Sequence, residues 1–244
     1  MDYESFFELQ KKYPRAVGND FMLPGDLKRR FSDGLITVCA DDRALFLFEK
    51  RNGFTKLHFR LMDKSATLSP FGGELAAFLT YREGCFQEIA SEWLLNQGFA
   101  KTKTLRRHTA HSITCELPID DVDYASADEA YGMFGEIFDS IESDMPCPEL
   151  FEGALCVRSD AGRPIGVLYM GQTLVVAVSP EARGQGVGRK LYKAYADVRE
   201  QKGKKTVFHE WISPDNTSSL AMFKKLGFTP DNVLTETYVY QLGA

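Results

Sequence analysis

Residues 173–190 read TLVVAVSPEARGQGVGRK, and this stretch decides how the rest of the chain is read. An apolar run from Leu174 to Val178 stops at Ser179-Pro180. Glycines then alternate at 184, 186 and 188, and an amphipathic helix pattern begins at once. A strand feeding a glycine-rich turn into a helix N-terminus gathers several backbone N–H groups at one point. Such a point suits anions, and phosphates above all.

Three designs share this strand, turn and helix. The phosphate loop of nucleotide triphosphatases needs G-x-x-x-x-G-K-[ST], which no segment supplies. The dinucleotide fingerprint needs G-x-G-x-x-G with an acidic residue about 20 positions on. Glu210 fits the second requirement, but Gly188 comes one residue early, and no series of strand–helix units surrounds the motif. The third design is Arg/Gln-x-x-Gly-x-Gly/Ala, and Arg183-Gly-Gln-Gly186-Val-Gly188 fits it. Here the segment resembles the GCN5-related N-acetyltransferases, which bind acetyl-CoA. A second block carries the same resemblance. A strand over 206–212 leads through Ser213-Pro214-Asp215 to Asn216, a helix, and the closing Leu226-Gly227-Phe228. The competing reading of the first block is a surface turn that happens to hold three glycines.

The backbone from Gly184 through Gln185, Gly186, Val187 and Gly188 to Arg189 is expected to wrap a pyrophosphate. Glycines there let oxygens approach without a Cβ in the way, and the positive end of the helix dipole adds to the field. Arg183, Arg189 and Lys190 supply charge at the rim. Val187, Leu191, Ala194, Tyr195 and Val198 recur at helical spacing and should pack on the sheet. The resemblance implies that the backbone of Val176, Ala177 and Val178 runs beside the pantetheine arm, with the Val178 N–H holding the thioester oxygen. It also implies that Asn216 and Phe223 lie on the cofactor side of the next helix. Read from its neighbours alone, Asn216 is a helix cap and Gly227 a helix stop.

Two positions depart from the family pattern. Many members carry Tyr seven residues after the Asn as the acid for the leaving thiolate; this chain has Phe223. A thiol with pKa about 8.5 needs only about 1.5 units of help at neutral pH, or about 2 kcal/mol, so that loss is survivable. Some relatives carry Glu five residues before the Asn as the base; this chain has Trp211. Deprotonating an alkyl amine of pKa about 10 is the harder task. His209 shares a strand face with Trp211, and its ordinary pKa of about 6.5 leaves it mostly neutral at pH 7, as a base must be. Glu210 is the second candidate, on the opposite face. A hydrogen-bonded sheet histidine and a non-catalytic acyl-CoA sensor are the competing readings.

Composition is that of an ordinary globular protein, 44% hydrophobic and 26% charged over 244 residues. A net charge of −5 argues against a nucleic-acid partner. The basic runs at 101–103 and 106–108 read as a solvated face. No run of 18 apolar residues implies a membrane span, and the polar N-terminus does not suit a secretory signal. Five scattered cysteines without C-x-x-C spacing read as cytoplasmic thiols, and no metal site is expected. Cys147, between two prolines, reads as a plain loop thiol.

Length favours one acetyltransferase domain plus an extra. Residues 118–244 are expected to supply that domain. Its elements are a strand over 121–125, a helix over 128–140, an acidic proline-rich loop over 142–151, strands over 154–158 and 164–169, the two blocks, and a strand over 235–242. Residues 1–117 echo this order. Strands over 44–49 and 55–62 alternate around the turn Arg51-Asn52-Gly53; another strand covers 76–82. A helix with Phe86, Ile89, Ala90, Trp93 and Leu94 on one face ends at Gly98, before a strand over 106–114. The expected fold is therefore α/β of the α+β kind, a mixed, mostly antiparallel sheet flanked by helices, with an N-terminal half like the C-terminal one but lacking the phosphate loop. The resemblance implies transfer of an acetyl group from acetyl-CoA to an amine, either a small molecule or a peptide. Glu142, Asp144, Glu149 and Glu152 lie where the family builds its acceptor site, and a solvated loop is the plainer reading. The sequence leaves the oligomeric state open.

Overall fold

The computed structural model describes residues 1–13, 17–19, 24–68, 72–85, 88–138, 148–170, 174–203 and 207–240. In chain order the elements are α1 (Tyr3–Gln10), β1 (Val17–Gly18), α2 (Pro24–Ser32), β2 (Ile36–Ala40), β3 (Ala44–Lys50), β4 (Thr55–Leu61), β5 (Leu75–Arg82), α3 (Glu88–Asn96), β6 (Phe99–Ala110), β7 (Val122–Tyr124), α4 (Ala127–Ile137), β8 (Leu155–Arg158), β9 (Pro164–Met170), β10 (Leu174–Val178), α5 (Val187–Gln201), β11 (Phe208–Ile212), α6 (Thr217–Lys225) and β12 (Thr229–Tyr240). They form two compact units. One is built mainly from Met1–Thr104 with Val233–Ala244, the other from Leu105–Asp139 with Pro146–Asn232. The mixed, mostly antiparallel α/β architecture expected from the sequence is what the strands adopt.

In the first unit β12, β5, β4, β3 and β2 lie in that order, and β1 adds to β4. The β3–β4 hairpin turns at Gly53 (φ 84°), as the Arg-Asn-Gly signal predicts. β3 does not alternate, however: Ala44 through Glu49 are all buried. Ala44, Phe46 and Phe48 enter one core, while Leu45 and Leu47 enter a second with Phe6, Tyr13 and Leu27. A strand covered on both faces has no reason to alternate. Trp93 sits in the first of these cores, stacked on Phe46 at 5.7 Å, and its indole N–H donates to the Ala66 carbonyl (2.7 Å). Ile89 corrects the expected face of α3. It lies in the first turn and is 49% exposed, while Ala90, Trp93 and Leu94 point inward; Phe86 lies outside the described residues.

One side chain fastens this sheet where its ladder gives out. β4 and β5 pair in parallel at Thr55–Leu75, Lys56–Ala76 and Leu57–Ala77. Next to that last pair the buried Asn19 amide donates to the carbonyls of Leu57 (3.0 Å) and Phe78 (3.2 Å) and accepts from the Phe59 N–H (2.8 Å). The close approach requires Gly18, because a Cβ there would lie 2.0 Å from the Phe59 carbonyl oxygen.

In the second unit β10, β9, β8 and β7 form an antiparallel sheet, and β11 pairs with the last five residues of β6. β6 begins at Phe99 and ends at Ala110, earlier at both ends than expected; the Thr114 N–H goes instead to the Leu226 carbonyl (3.2 Å). Ser126 and Glu129 close a capping box at the start of α4. Arg158 grips Glu129 with two nitrogens (2.8 and 3.1 Å), and with the Ser126 bonds it holds that carboxyl down to about 2. α5 lies directly on β9, since a Cβ on Gly166 would fall 2.2 Å from Val187 Cγ1. Of its expected face, Val187, Leu191, Ala194 and Tyr195 are buried, joined by Gly188 and Tyr192; Val198 is half-buried. Glu142, Asp144 and Cys147 lie outside the described residues, as does the side chain of Glu149; Glu152 is exposed.

β11 alternates as expected: Phe208, Glu210 and Ile212 are buried and His209 is exposed. Glu210 is hydrogen-bonded to the Tyr192 hydroxyl inside the core. Burial pushes its carboxyl well above the usual range, and the Tyr192 bond only partly opposes this.

Two outcomes follow for stability. Asn19→Ala strands the buried Phe59 N–H and two carbonyls, so urea denaturation should show a loss of about 3 kcal/mol; a loss under about 1 kcal/mol would mean that water replaces the amide. Because the folded-state pKa of Glu210 is raised, its contribution is fully present below the unfolded-state pKa and is lost as pH rises toward the folded one. Glu210→Gln should therefore gain on the parent as pH rises from 4 to 8 in denaturant midpoints. A variant that trails the parent by a constant margin across that window would show that Glu210 stays ionised.

Candidate functional site

β10 and β11 approach one another in the second unit, yet each is the outer strand of its own sheet and they share no ladder. The Ser179 N–H donates to the Ile165 carbonyl of β9's leading residues (3.0 Å). Since backbone direction alternates along a strand, Ala177 and Val175 turn their N–H groups toward β9, and Val176 and Val178 turn theirs toward the open edge. The Val178 carbonyl, on the same side, accepts from Arg183 Nε (3.3 Å). Arg183 thus folds back onto the strand end.

A 3-10 turn over Pro180–Ala182 ends β10, and two glycines in the left-handed region, Gly184 (φ 79°) and Gly186 (φ 86°), complete the loop. Gly186 is the N-cap of α5, and the first intrahelical bond runs from the Lys190 N–H to the Gly186 carbonyl (3.0 Å). The N–H groups of Val187, Gly188 and Arg189 therefore have no partner within the helix. The three glycines differ in use. Nothing lies within 4 Å of where a Gly184 Cβ would be, so that position opens outward. A Cβ on Gly186 would meet Leu117 Cδ1 at 2.8 Å, and one on Gly188 would meet Met222 Sδ at 2.8 Å. Gly188 thus lets α5 and α6 pack. Lys190 is tied to Asp121 (2.6 Å) and Gln185 to the Glu181 carbonyl (2.9 Å), which leaves the turn's charge to Arg183 and Arg189.

Asn216 caps α6, its Oδ1 accepting from the Ser219 N–H (3.0 Å). At the other end the Phe228 N–H returns to the Phe223 carbonyl and the Gly227 N–H to that of Lys224 (3.0 and 3.2 Å), with Gly227 at φ 93°. This is the Schellman closure, with the rings of Phe223 and Phe228 in contact at 5.0 Å. Phe223 is a core ring, edge-on to Tyr192 at 5.1 Å.

The exposed face of β11 holds a network that sequence reading missed. His209 sits directly opposite Thr109 on β6, Nδ1 to Oγ1 3.0 Å. The Thr109 hydroxyl donates to Asp231 Oδ2 (3.0 Å), which also accepts from Arg107 Nε (2.6 Å). Burial, then the Arg107 charge, lowers the His209 pKa, with Asp231 pulling the other way. Arg107 is thus bound to Asp231, and His108 is buried, so the run 106–108 is not the solvated face its composition suggests. Only the register of β11 on β6 brings these side chains together, and register has no signal in a single sequence. The site therefore offers convergent N–H groups for phosphates, an open strand edge for an extended chain, and a histidine of lowered pKa.

Comparison with known proteins points the same way. Residues 128–228 match the family model described as Acetyltransferase (GNAT) family. N-alpha-acetyltransferase 30 of Schizosaccharomyces pombe is 32% identical over 78 residues, which are 32% of this chain and 50% of that one. A mycothiol acetyltransferase of Renibacterium salmoninarum is 32% identical over 65 residues, 27% of this chain and 19% of its own length. The chain thus spans between a fifth and a half of these relatives. A solved tandem GNAT protein from the clavulanic acid biosynthesis pathway superposes with a TM-score of 0.60 at 10% identity, covering 100% of this chain and 98% of that one, a likeness of fold. No helix among the described residues is long and apolar enough to cross a membrane. Motif, fold and family model point one way: residues 128–228 of this chain match the Acetyltransferase (GNAT) family.

Proposed function

We propose that this protein is an acetyl-CoA-dependent N-acyltransferase, cytoplasmic, acting on a small-molecule or peptide amine. Residues 118–244 would supply the acetyltransferase domain and residues 1–117 a degenerate copy without the phosphate loop. The observation that carries this reading is the open edge of β10 running straight into the Gly184–Gly186 turn and the N-terminus of α5. The residues fit the cofactor. Gly184 leaves room where a side chain would otherwise stand, and the N–H groups of Val187, Gly188 and Arg189 precede the first helical bond. Gly184 through Arg189, with Arg183 and Gln185, would hold the phosphates; Val176, Ala177 and Val178 would line the pantetheine arm. Asn216 and Phe223 would support it from α6, Phe223 by packing only.

Bound acetyl-CoA would supply the acetyl thioester. The Val178 N–H, directed to the open edge, would hold its oxygen, a fixed donor that needs no reorganisation as negative charge develops. His209 would take the proton from the amine, since its lowered pKa keeps the imidazole neutral at pH 7. Glu210 is the second acid–base candidate; its burial on Tyr192 favours a role behind the strand. Solvent would return a proton to the leaving thiolate in place of the missing tyrosine. One observation favours the sensor reading: neither Trp211 nor Phe223 carries a group that moves protons. Thiol release from acetyl-CoA against a panel of amines separates the two, since a sensor binds without release.

Calorimetric titration with acetyl-CoA tests the cofactor. Val at Gly186 would be strained at φ 86° and would press on Leu117, so it would disturb the fold as well as the site. Gly184→Asp is the cleaner variant, because Asp tolerates the left-handed region and the space is open. It should weaken binding by about tenfold or more, by placing a carboxylate among phosphates, while Gly184→Asn stays nearer the parent. Equal affinity for all three proteins would remove the phosphates from this turn.

A further inference from the structure

We infer that Thr109 and Asp231 form a one-way hydrogen-bond relay that locks His209 in the tautomer whose basic nitrogen is Nε2. The inference deepens the assignment of His209 as the base and rests on that reading for its catalytic meaning. Its own content is the position of a proton.

Asp231 Oδ2 receives Arg107 Nε at 2.6 Å, so it is a carboxylate held ionised by a guanidinium and can only accept. The Arg106 guanidinium adds to this clamp through the Asp231 backbone carbonyl (3.2 Å). The Thr109 hydroxyl has one proton, and it points to Asp231 Oδ2 across 3.0 Å. Toward His209 the Thr109 oxygen can then offer only a lone pair. His209 Nδ1 lies 3.0 Å from it, so Nδ1 must carry the hydrogen. A neutral imidazole with its proton on Nδ1 has its basic pair on Nε2, the nitrogen turned away from the relay. The strand pairing makes the geometry stiff. His209 and Thr109 are directly opposed in an antiparallel ladder, and the Thr229 hydroxyl ties the Thr109 carbonyl (3.4 Å).

The charged groups facing His209 are Arg107 and Asp231, with His111 beyond them on the same run. Arg107 and His111 oppose the imidazolium and Asp231 favours it, so the relay fixes where the proton sits without forcing the ring into its charged form. Thr109 and Asp231 are positioning residues: they act through His209 and reach no reacting atom.

Long-range proton–nitrogen NMR spectra of the histidine-labelled protein read this directly and need no acceptor. The His209 signals are identified by their loss in His209→Gln. Above its titration midpoint the parent should show a protonated Nδ1 and an unprotonated Nε2. Thr109→Val, which keeps shape and removes the hydroxyl, should shift both nitrogens toward the values of exchanging tautomers, and Thr109→Ser should restore them. Asp231→Asn should lower the His209 titration midpoint by removing the only facing negative charge among those named. A parent spectrum with Nε2 protonated, or a Thr109→Val spectrum identical to the parent, overturns the relay. The catalytic reading fails separately: if His209→Ala leaves thiol release unchanged while the tautomer is locked as described, the base is elsewhere and the relay stands as a structural feature of the strand pair.

Discussion

A strand edge without a neighbour must find partners for its backbone, and the outer edge of β10 is the constraint around which the second unit is arranged. The same strand ends at Pro180, whose ring cannot continue a ladder, and the chain turns through two left-handed glycines into α5. The helix is drawn down onto β9 at Gly166, where the absent Cβ leaves room for Val187. That contact fixes the height of the helix N-terminus above the sheet. Open edge and unpaired helical amides thus both follow from the turn at Pro180, Gly184 and Gly186.

Two of the buried glutamates, one from each unit, are accommodated in opposite ways. Glu49 in the first is fully buried and meets the guanidinium groups of Arg30 and Arg51 (2.9 Å) and the His58 ring (2.9 Å), so its charge faces two cations. Glu210 in the second meets a tyrosine hydroxyl, and its proton is the cheaper way to be buried. The first arrangement depends on long side chains from three elements. The second depends on a single pair, which leaves the outward neighbour His209 free of a large buried charge directly behind it.

Much of this was legible in the sequence, for stated reasons. The strand–glycine–helix succession, the Asn216 cap, the Gly227 stop and the Arg-Asn-Gly hairpin are local, and local chemistry decides them. The doubly covered β3 defied the alternation rule because the rule assumes one wet face. α1, α2, β1 and β2 were not expected, since their short or polar stretches carry weak periodicity and gain their order from packing. Ile89 looked apolar and inward, but helix phase is set by Trp93 and Leu94, which have more surface to bury. The His209–Thr109–Asp231 network joins Thr109 to residues 100 and 122 positions away and depends on a register that only the folded ladder defines.

The membership of β12 has a further consequence for how the chain is made. Val233 through Val239 pair with Arg82 through Ala76 of β5, and Tyr238 lies in the core with Trp93 and Phe59. The unit whose strands are made earlier is therefore the later to be finished, because its strand β12 is synthesised after the other described elements. The second unit, complete by Asn232, has its full complement of residues earlier. During translation the β5 edge stays uncovered until residues 233–239 have emerged to pair with it.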